Sequence, residues 1–224
     1  MIAARCLLTN FVQPMPRAST PWVIWCVGQD TRIGSPICED AWHEDVAETL
    51  AETGAEFLLI PNGSPYYRDK FETRLTHMVS RVVETGLPLI YLNMVGGQDD
   101  QVFDGASFAL NPGGGLALQM PAFDTAIVHV DLERGTDGWR VKDGVKTAQP
   151  DTWEQDYRVM VQSLRDYMGK TGFKKVLLGM SGGIDSAIVA TIATDALGAE
   201  NVRCVMLPSE YTSKASLKDA EACA

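Results

Sequence analysis

The sequence predicts an α/β protein of two successive units, and three observations point there. A strand over Lys174 to Leu178, a helix over 186–197 and a strand over Val202 to Leu207 follow one another at β-α-β spacing, the building unit of a parallel sheet. Upstream, from Arg32 to Leu132, short apolar runs alternate with helix-period segments. Between the two, residues 133–149 hold glycines and charges and almost no aliphatic pairs, the composition of a connector.

Taken in order, residues 1–30 are irregular, because Pro14, Pro16 and Pro21 break any helix and the apolar periodicity is poor. Ile33 to Cys38 reads as a short buried strand. Residues 44–53 predict a helix with Val46, Leu50 and alanines on one side. Phe57 to Ile60 is a strand that ends at Pro61-Asn62-Gly63. Over 68–85, Phe71, Leu75, Met78, Val79, Val82 and Val83 fall at helical spacing, and Gly86 and Pro88 stop the helix. Leu89 to Leu92, Ala106 to Leu110, Leu116 to Leu118 and Ile127 to Leu132 predict further strands. Asn111-Pro112-Gly113-Gly114 is a hairpin-type turn, and 94–104 is a polar loop carrying Gln98, Asp99, Asp100 and Gln101.

In the second unit a helix over 151–168 presents Trp153, Tyr157, Met160, Val161, Leu164 and Met168 as its buried stripe. The helix over 186–197 presents Ile188, Ile192 and Ala196, and another helix begins before Ala224. One β-α-β unit cannot bury both faces of a sheet, so much of this second domain is expected to lie outside these residues.

Apolar content of 46% and charged content of 21% are globular values. The net charge of −10 argues against a nucleic-acid surface and against anionic membranes. No apolar run approaches the ~20 residues of a membrane span. The five cysteines, Cys6, Cys26, Cys38, Cys204 and Cys223, are scattered and lack CxxC or Cys/His spacing. That suits a reducing cytoplasm better than a disulfide framework or a zinc site. Met1-Ile2-Ala3-Ala4-Arg5 lacks the apolar stretch of a signal peptide.

Two strings carry chemistry. Gly179-Met180-Ser181-Gly182-Gly183-Ile184-Asp185-Ser186 lies between a strand and a helix. N–H groups at a helix start have no intrahelical partners, and the helix dipole adds partial positive charge there, so such a turn grips phosphate. Gly182 and Gly183 let the backbone curl, Ser181 and Ser186 can add hydroxyl donors, and Asp185 can hold a cation that bridges phosphates. No Lys follows the glycines, so this is not the GxxxxGK[ST] loop. An ordinary β-turn-α connection with a helix cap is the plainer alternative. The whole string is similar to the pyrophosphate-binding motif of the ATP pyrophosphatase family, whose members adenylate a substrate oxygen and let a nitrogen or sulfur nucleophile displace AMP.

The second string, Gly34-Ser35-Pro36-Ile37-Cys38-Glu39-Asp40-Ala41-Trp42, puts a Cys at a strand end just before a helix. A helix N-terminus and a neighbouring cation would activate its thiol as a nucleophile. Taken alone, the same position also suits a small core residue. ICEDAW, GAEFLLIPNGSPYYRDK and ETGLPLIYLNMVGGQDDQVFDGASF resemble the carbon–nitrogen hydrolase (nitrilase) superfamily. More closely, they resemble the glutaminase domain of glutamine-dependent NAD synthetases. The resemblance implies that Cys38 attacks the glutamine carboxamide, and that Ser64 and Lys70 bind the α-amino and α-carboxylate groups. Without it, Ser64 reads as a turn hydroxyl and Lys70 as a solvated first-turn residue.

The fold implied is an incomplete nitrilase-like α-β-β-α sandwich over 29–132, the connector 133–149, and from 150 the start of a doubly wound parallel-sheet domain of the adenine nucleotide alpha hydrolase kind. Pro208-Ser209-Glu210-Tyr211-Thr212-Ser213 adds to the resemblance in that second part. The reaction implied is glutamine hydrolysis at Cys38. Ammonia then passes to a second site, where deamido-NAD, adenylated by ATP with Mg2+ on Asp185 and the phosphates on 179–186, becomes NAD. A cytoplasmic homo-oligomer is implied for the full-length form. The family also needs a Glu base and a Lys upstream of the Cys, yet residues 1–37 contain neither. Residues 1–28 are therefore expected to be an atypical, non-native start, and this chain to have negligible activity of its own. The alternatives are a stand-alone amidase with an unrelated tail, and an inactive truncated product.

Overall fold

The computed structural model describes residues 31–224, together with the backbone of residues 23–27. The expectation of an atypical start therefore lies outside the described residues, apart from one strand, β1 (Val23–Val27), which the sequence reading did not anticipate. The chain divides into two compact units, one holding residues up to Val95 with Phe103–Thr152, the other Gly96–Val102 with Trp153–Ala224.

The first unit is built on a six-stranded sheet. Beside β1 runs β2 (Thr31–Ser35), antiparallel to it. A 3-10 turn over Cys38–Trp42 leads into α1 (Glu44–Glu52), which crosses to β3 (Phe57–Asn62), parallel to β2. The second crossover, α2 (Lys70–Thr85), returns to β4 (Leu89–Asn93), parallel to β3 with Ile60 opposite Tyr91. The chain then makes a hairpin, β5 (Val95–Gln98) and β6 (Gln101–Asp104), where the sequence predicts a polar loop. β7 (Phe108–Asn111) and β8 (Gly115–Gln119) complete the sheet in the order β1-β2-β3-β4-β7-β8.

Helices α1 and α2 cover one face. Val46, Ala47 and Leu50 of α1 and Met78 and Val82 of α2 pack on Leu58, Ile60, Leu89, Tyr91, Phe108 and Leu110. α2 ends as expected at Gly86, whose left-handed backbone (φ 68°) closes the helix by donating to the Val82 carbonyl. Its buried face departs from the predicted stripe, however: Val83 is exposed, while Arg74 and Arg81 are buried. On the opposite sheet face, Ala109, Ala117 and Leu118 pack with Val128, Val130 and Leu132. The described residues thus supply one sheet and one helical layer of the expected sandwich.

The strand expected over Ile127 to Leu132 is not formed; pairing starts only at Leu132, in β9 (Leu132–Gly135), which pairs with β10 (Gly138–Val141). This hairpin falls inside the segment read as a connector. Side chains tie it down: Asn111 bonds both backbone polar groups of Val141 at 2.8 Å, and Trp139 Nε1 donates to Glu56 at 2.9 Å. Leu132 and Val141 at its ends also pack in the apolar cluster on the opposite sheet face, but strands of four residues are too short for apolar pattern alone to reveal them.

In the second unit, α3 (Thr152–Thr171) is followed by β11 (Val176–Gly179), α4 (Ile184–Leu197), β12 (Val202–Val205) and α5 (Lys214–Cys223). β11 and β12 pair in parallel, Val176 opposite Val202, as the β-α-β reading requires. Met180, Ala190 and Ala220 form its small core with Leu178, Cys204 and Met206. The predicted stripes are only partly buried: Val161, Met168 and Ile192 are, but Trp153 (76%) and Ile188 (46%) are exposed. The β5–β6 tip belongs to this unit, with Gly97 N–H donating to Asp166 and Lys170 donating to the Gly97 carbonyl and, at 2.8 Å, to Gln98. Among the described residues, no helix is long and apolar enough to cross a membrane.

Candidate functional site

Cys38 stands three residues past the end of β2, as the first residue of the 3-10 turn. Its backbone is left-handed (φ 55°), a region that costs a non-glycine residue about 1–3 kcal/mol. The turn is held by Asp40, whose carboxylate accepts from Ile37 N–H at 3.2 Å while its own N–H donates to the Ile37 carbonyl at 3.1 Å. A half-buried thiol is thus presented on a sharp strand-to-helix corner, a geometry suited to a nucleophile.

Cys38, Ser64 and Lys70 come together. They line one cleft of about 180 Å³ with Glu39, Trp42, Gly63 and Pro65. The parallel register of β2 and β3 brings this about, since the loops leaving the two strand ends lie side by side. Lys70 opens α2, with its ammonium 4.3 Å above the Trp42 ring and 4.4 Å from Tyr67, donating to the Tyr67 hydroxyl at 3.2 Å. Trp42 is backed by His77, stacked at 4.4 Å. Burial, with Arg81 and Lys70 adding to it, holds that imidazole below its usual range, so it stacks as the neutral ring.

Beneath the cleft lies a polar network that sequence reasoning missed. Arg74 is fully buried. Its Nε donates to Ser64 Oγ at 3.0 Å and its Nη2 to the Ser64 carbonyl at 2.8 Å. The same guanidinium grips Asp104 with both Nη atoms, at 2.9 and 2.8 Å. Asn93 closes the ring, accepting from Ser64 N–H at 2.9 Å and donating to the Ser64 carbonyl at 3.2 Å. Ser107 Oγ in turn accepts from Asn93 N–H at 2.9 Å. Ser64 is therefore held through its amide, carbonyl and hydroxyl together. The only sequence signal for this was an Arg inside an apolar helical stripe, three residues after Phe71 and four before Met78.

The second candidate site is the turn 179–186. Gly179 ends β11, Met180 plugs the core with its side chain (3% exposed), and Gly183 caps α4. Gly182 has φ 82°, and a Cβ there would lie 2.3 Å from the Ser216 carbonyl oxygen, so only glycine fits. Ser181 and Ser186 knit the turn: their hydroxyls lie 3.1 Å apart, Ser186 Oγ donates to the Gly183 carbonyl at 2.9 Å, and Gly183 N–H donates to Ser181 Oγ at 3.2 Å. Asp185 is exposed in the first turn of α4, as is Ile184. A concavity of about 900 Å³ lies elsewhere in this unit, along Leu177, Thr194, Asn201 and Arg203, and no residue of 179–186 lines it. An exposed carboxylate beside two hydroxyls at a helix start suits Mg2+, which binds through one or two carboxylates plus substrate phosphates.

Comparison with known proteins matches both halves. The sequence model of the carbon-nitrogen hydrolase family matches residues 9–139, and that of NAD synthase matches residues 156–224. The chain is 64% identical over 188 residues to the glutamine-dependent NAD(+) synthetase of Rhodobacter capsulatus, covering 84% of this chain and 34% of that protein. Identity to the corresponding protein of Xanthomonas campestris pv. campestris is 43% over 186 residues, covering 81% and 33%. Among solved structures, the glutamine-dependent NAD+ synthetase from Acinetobacter baumannii in complex with ADP superposes with a TM-score of 0.83 at 36% identity, over 90% of this chain and 38% of that one. The chain thus spans about a third of the length of the curated relatives it matches.

Proposed function

This chain belongs to the carbon–nitrogen hydrolase family, and from that premise we propose that it is part of a glutamine-hydrolysing NAD synthetase. One observation carries the reading. The residues that the family resemblance assigns to glutamine, Cys38, Ser64 and Lys70, share a cleft in the same chain as a glycine-rich turn at 179–186 that opens a helix.

In this reading the Cys38 thiolate attacks the side-chain carbonyl carbon of glutamine. A thioester forms, the C–N bond breaks, and ammonia leaves with a proton from the medium; water then releases glutamate. Lys70 pairs with the substrate α-carboxylate, held over Trp42 and Tyr67 so that its charge stays in the cleft. Ser64 contributes its hydroxyl from a position fixed by Arg74 and Asn93.

At the second site the backbone of 179–184 and the hydroxyls of Ser181 and Ser186 hold the ATP phosphates. Asp185 would hold Mg2+, which neutralises phosphate charge when bound. There the nicotinate carboxylate of deamido-NAD displaces pyrophosphate from ATP, and ammonia displaces AMP from the adenylate to give NAD. A cytoplasmic setting and a homo-oligomeric full-length form complete the proposal.

Calorimetric titration of the purified chain tests both sites at once. L-glutamine should bind the unsubstituted chain, and Lys70→Ala should weaken that binding about 10- to 100-fold, the worth of a charge-assisted contact of roughly 1.5–3 kcal/mol. MgATP binding should be untouched by Lys70→Ala and lost in Asp185→Ala. Equal glutamine affinity in the Lys70 variant would overturn the assignment of the first site, and MgATP binding unchanged by Asp185→Ala that of the second.

A further inference from the structure

Lys70, Trp42 and His77 form a stack of which only two members reach the Cys38 cleft: Lys70 and Trp42 line it and His77 does not. The Lys70 ammonium stands 4.3 Å from the centre of the Trp42 ring, and the His77 ring lies 4.4 Å from it at an interplanar angle of 22°. Two groups at that height cannot share one face, so the indole is sandwiched between them. The helix supplies the spacing, since Lys70 and His77 both lie on α2, two turns or roughly 10 Å apart, enough to admit one ring. The main chain of Trp42 is fixed as well, its carbonyl accepting from Arg81 Nη1 at 2.9 Å.

We propose that His77 is a positioning residue for glutamine: its neutral ring backs Trp42 so that the other face of the indole holds Lys70 in the cleft, and protonation of His77 loosens that hold. The proposal rests on the reading of the cleft as a glutamine site. His77 acts through Trp42 and Lys70 and touches no substrate itself. An aromatic face attracts a cation through its electron-rich π-system, and a neutral imidazole leaves that attraction to Lys70 alone. An imidazolium on the opposite face draws on the same π-system and repels the ammonium across the thickness of one ring. Tyr67, 4.4 Å from the ammonium, keeps a partial hold, so the expected effect is a weakening and not a loss.

The groups around His77 set the direction. Burial comes first, and the cations Arg81 and Lys70 of its own helix add to it, so that the imidazole is held below its ordinary range. Arg81 is itself paired with Glu84 at 2.8 Å. The 3-10 turn packed against α2 carries Glu39 and Asp40 and is followed by His43, and α1 carries Glu44 and Asp45 in its first turn. Those acids pull the other way without prevailing. His77 is therefore neutral at pH 7.5, where the stack is complete, and the stack loosens as pH falls through the lowered value.

The first measurement needs no glutamine. In the unsubstituted chain grown with lysine carrying 13C at its ε carbon, the Lys70 signal is assigned by its absence from Lys70→Arg. It should stand upfield of the other lysines at pH 7.5, because it lies over an indole. It should move toward them as pH falls to 5, with the midpoint at which His77 itself titrates in a 13C-histidine sample. The chain has 3 histidines, and His77 is marked out among them by the ring current of Trp42. In His77→Phe, which keeps an aromatic ring without a titrating group, the Lys70 signal should stay upfield throughout.

Calorimetry then reads the consequence. The Kd for L-glutamine should rise about 3- to 10-fold from pH 7.5 to pH 5 in the unsubstituted chain, and less than about 2-fold in His77→Phe. A Lys70 signal that does not move, or moves with a midpoint unrelated to His77, would overturn the proposal, and neither result depends on the variant folding. Equal pH dependence of glutamine binding in the two chains would overturn it too. The glutamine reading fails in a different way, with no binding heat at pH 7.5 while Lys70 still titrates with His77. That result would overturn the reading of the cleft and leave the hold of His77 on Lys70 standing.

Discussion

Arg74→Ala should destabilise the first unit by about 3–5 kcal/mol, the usual cost of breaking a buried ion pair from one side. The guanidinium is fully buried and bonds Ser64, Asp104 and the Pro65 carbonyl. Removing it leaves the Asp104 carboxylate, itself 3% exposed, with only the Asn93 amide at 3.4 Å as a hydrogen-bond partner among the described residues. An uncompensated buried charge is what makes the loss large; the missing attraction is the smaller part. It follows that removing both charges should hurt less: Arg74→Met with Asp104→Leu is expected to recover a substantial part of the lost stability. Urea unfolding followed by tryptophan fluorescence checks both statements. A double variant as unstable as Arg74→Ala would show that the ion pair is not the source. The double variant should still lose glutamine, because Ser64 no longer has the Arg74 bonds to its hydroxyl and carbonyl.

Gly182→Ala should be comparably severe in the second unit. A residue with a Cβ at φ 82° costs about 1–3 kcal/mol for the backbone region alone. Here the new Cβ would also meet backbone, 2.3 Å from the Ser216 oxygen and 3.0 Å from its carbonyl carbon and Cα. Neither side can yield like a flexible side chain, since Ser216 lies in the first turn of α5, capped by Ser213 at 3.0 Å. Either the turn or the α5 start must move, and the N–H groups and hydroxyls of 179–186 move with it. The expected result is a lower melting temperature and at least a tenfold loss in MgATP affinity. Gly179→Ala is the control for stability, because a Cβ there meets nothing within 4 Å. It should melt like the unsubstituted chain.

Much of what positions these sites is legible in the sequence because it is local. The apolar stripe of α2 and its stop at Gly86, the strand before Cys38 and the β11-turn-α4 string are each written in consecutive residues with a strong period or a glycine signal. What escaped is what depends on distant partners. Arg74 and Asp104 are 30 residues apart, one on α2 and the other at the end of β6, and only the tertiary fold brings them together beneath Ser64. β5–β6 and β9–β10 are four-residue strands with polar or glycine-rich sequences, too short for alternation to show. The stripe of α3 failed for another reason: periodicity marks the residues able to be buried, and the small β11–β12 sheet of this unit leaves Trp153 and Met160 exposed.

The claim that joins these observations is that Cys38 is a nucleophile set in a glutamine-shaped cleft. Labelling with a glutamine analogue that carries an electrophilic diazoketone in place of the carboxamide tests it most directly, read by intact mass and peptide mapping. The account predicts a single adduct on Cys38, suppressed by L-glutamine but not by L-glutamate, and absent in Cys38→Ala. Adducts spread over Cys204 and Cys223 as readily as over Cys38, with no protection by glutamine, would contradict it.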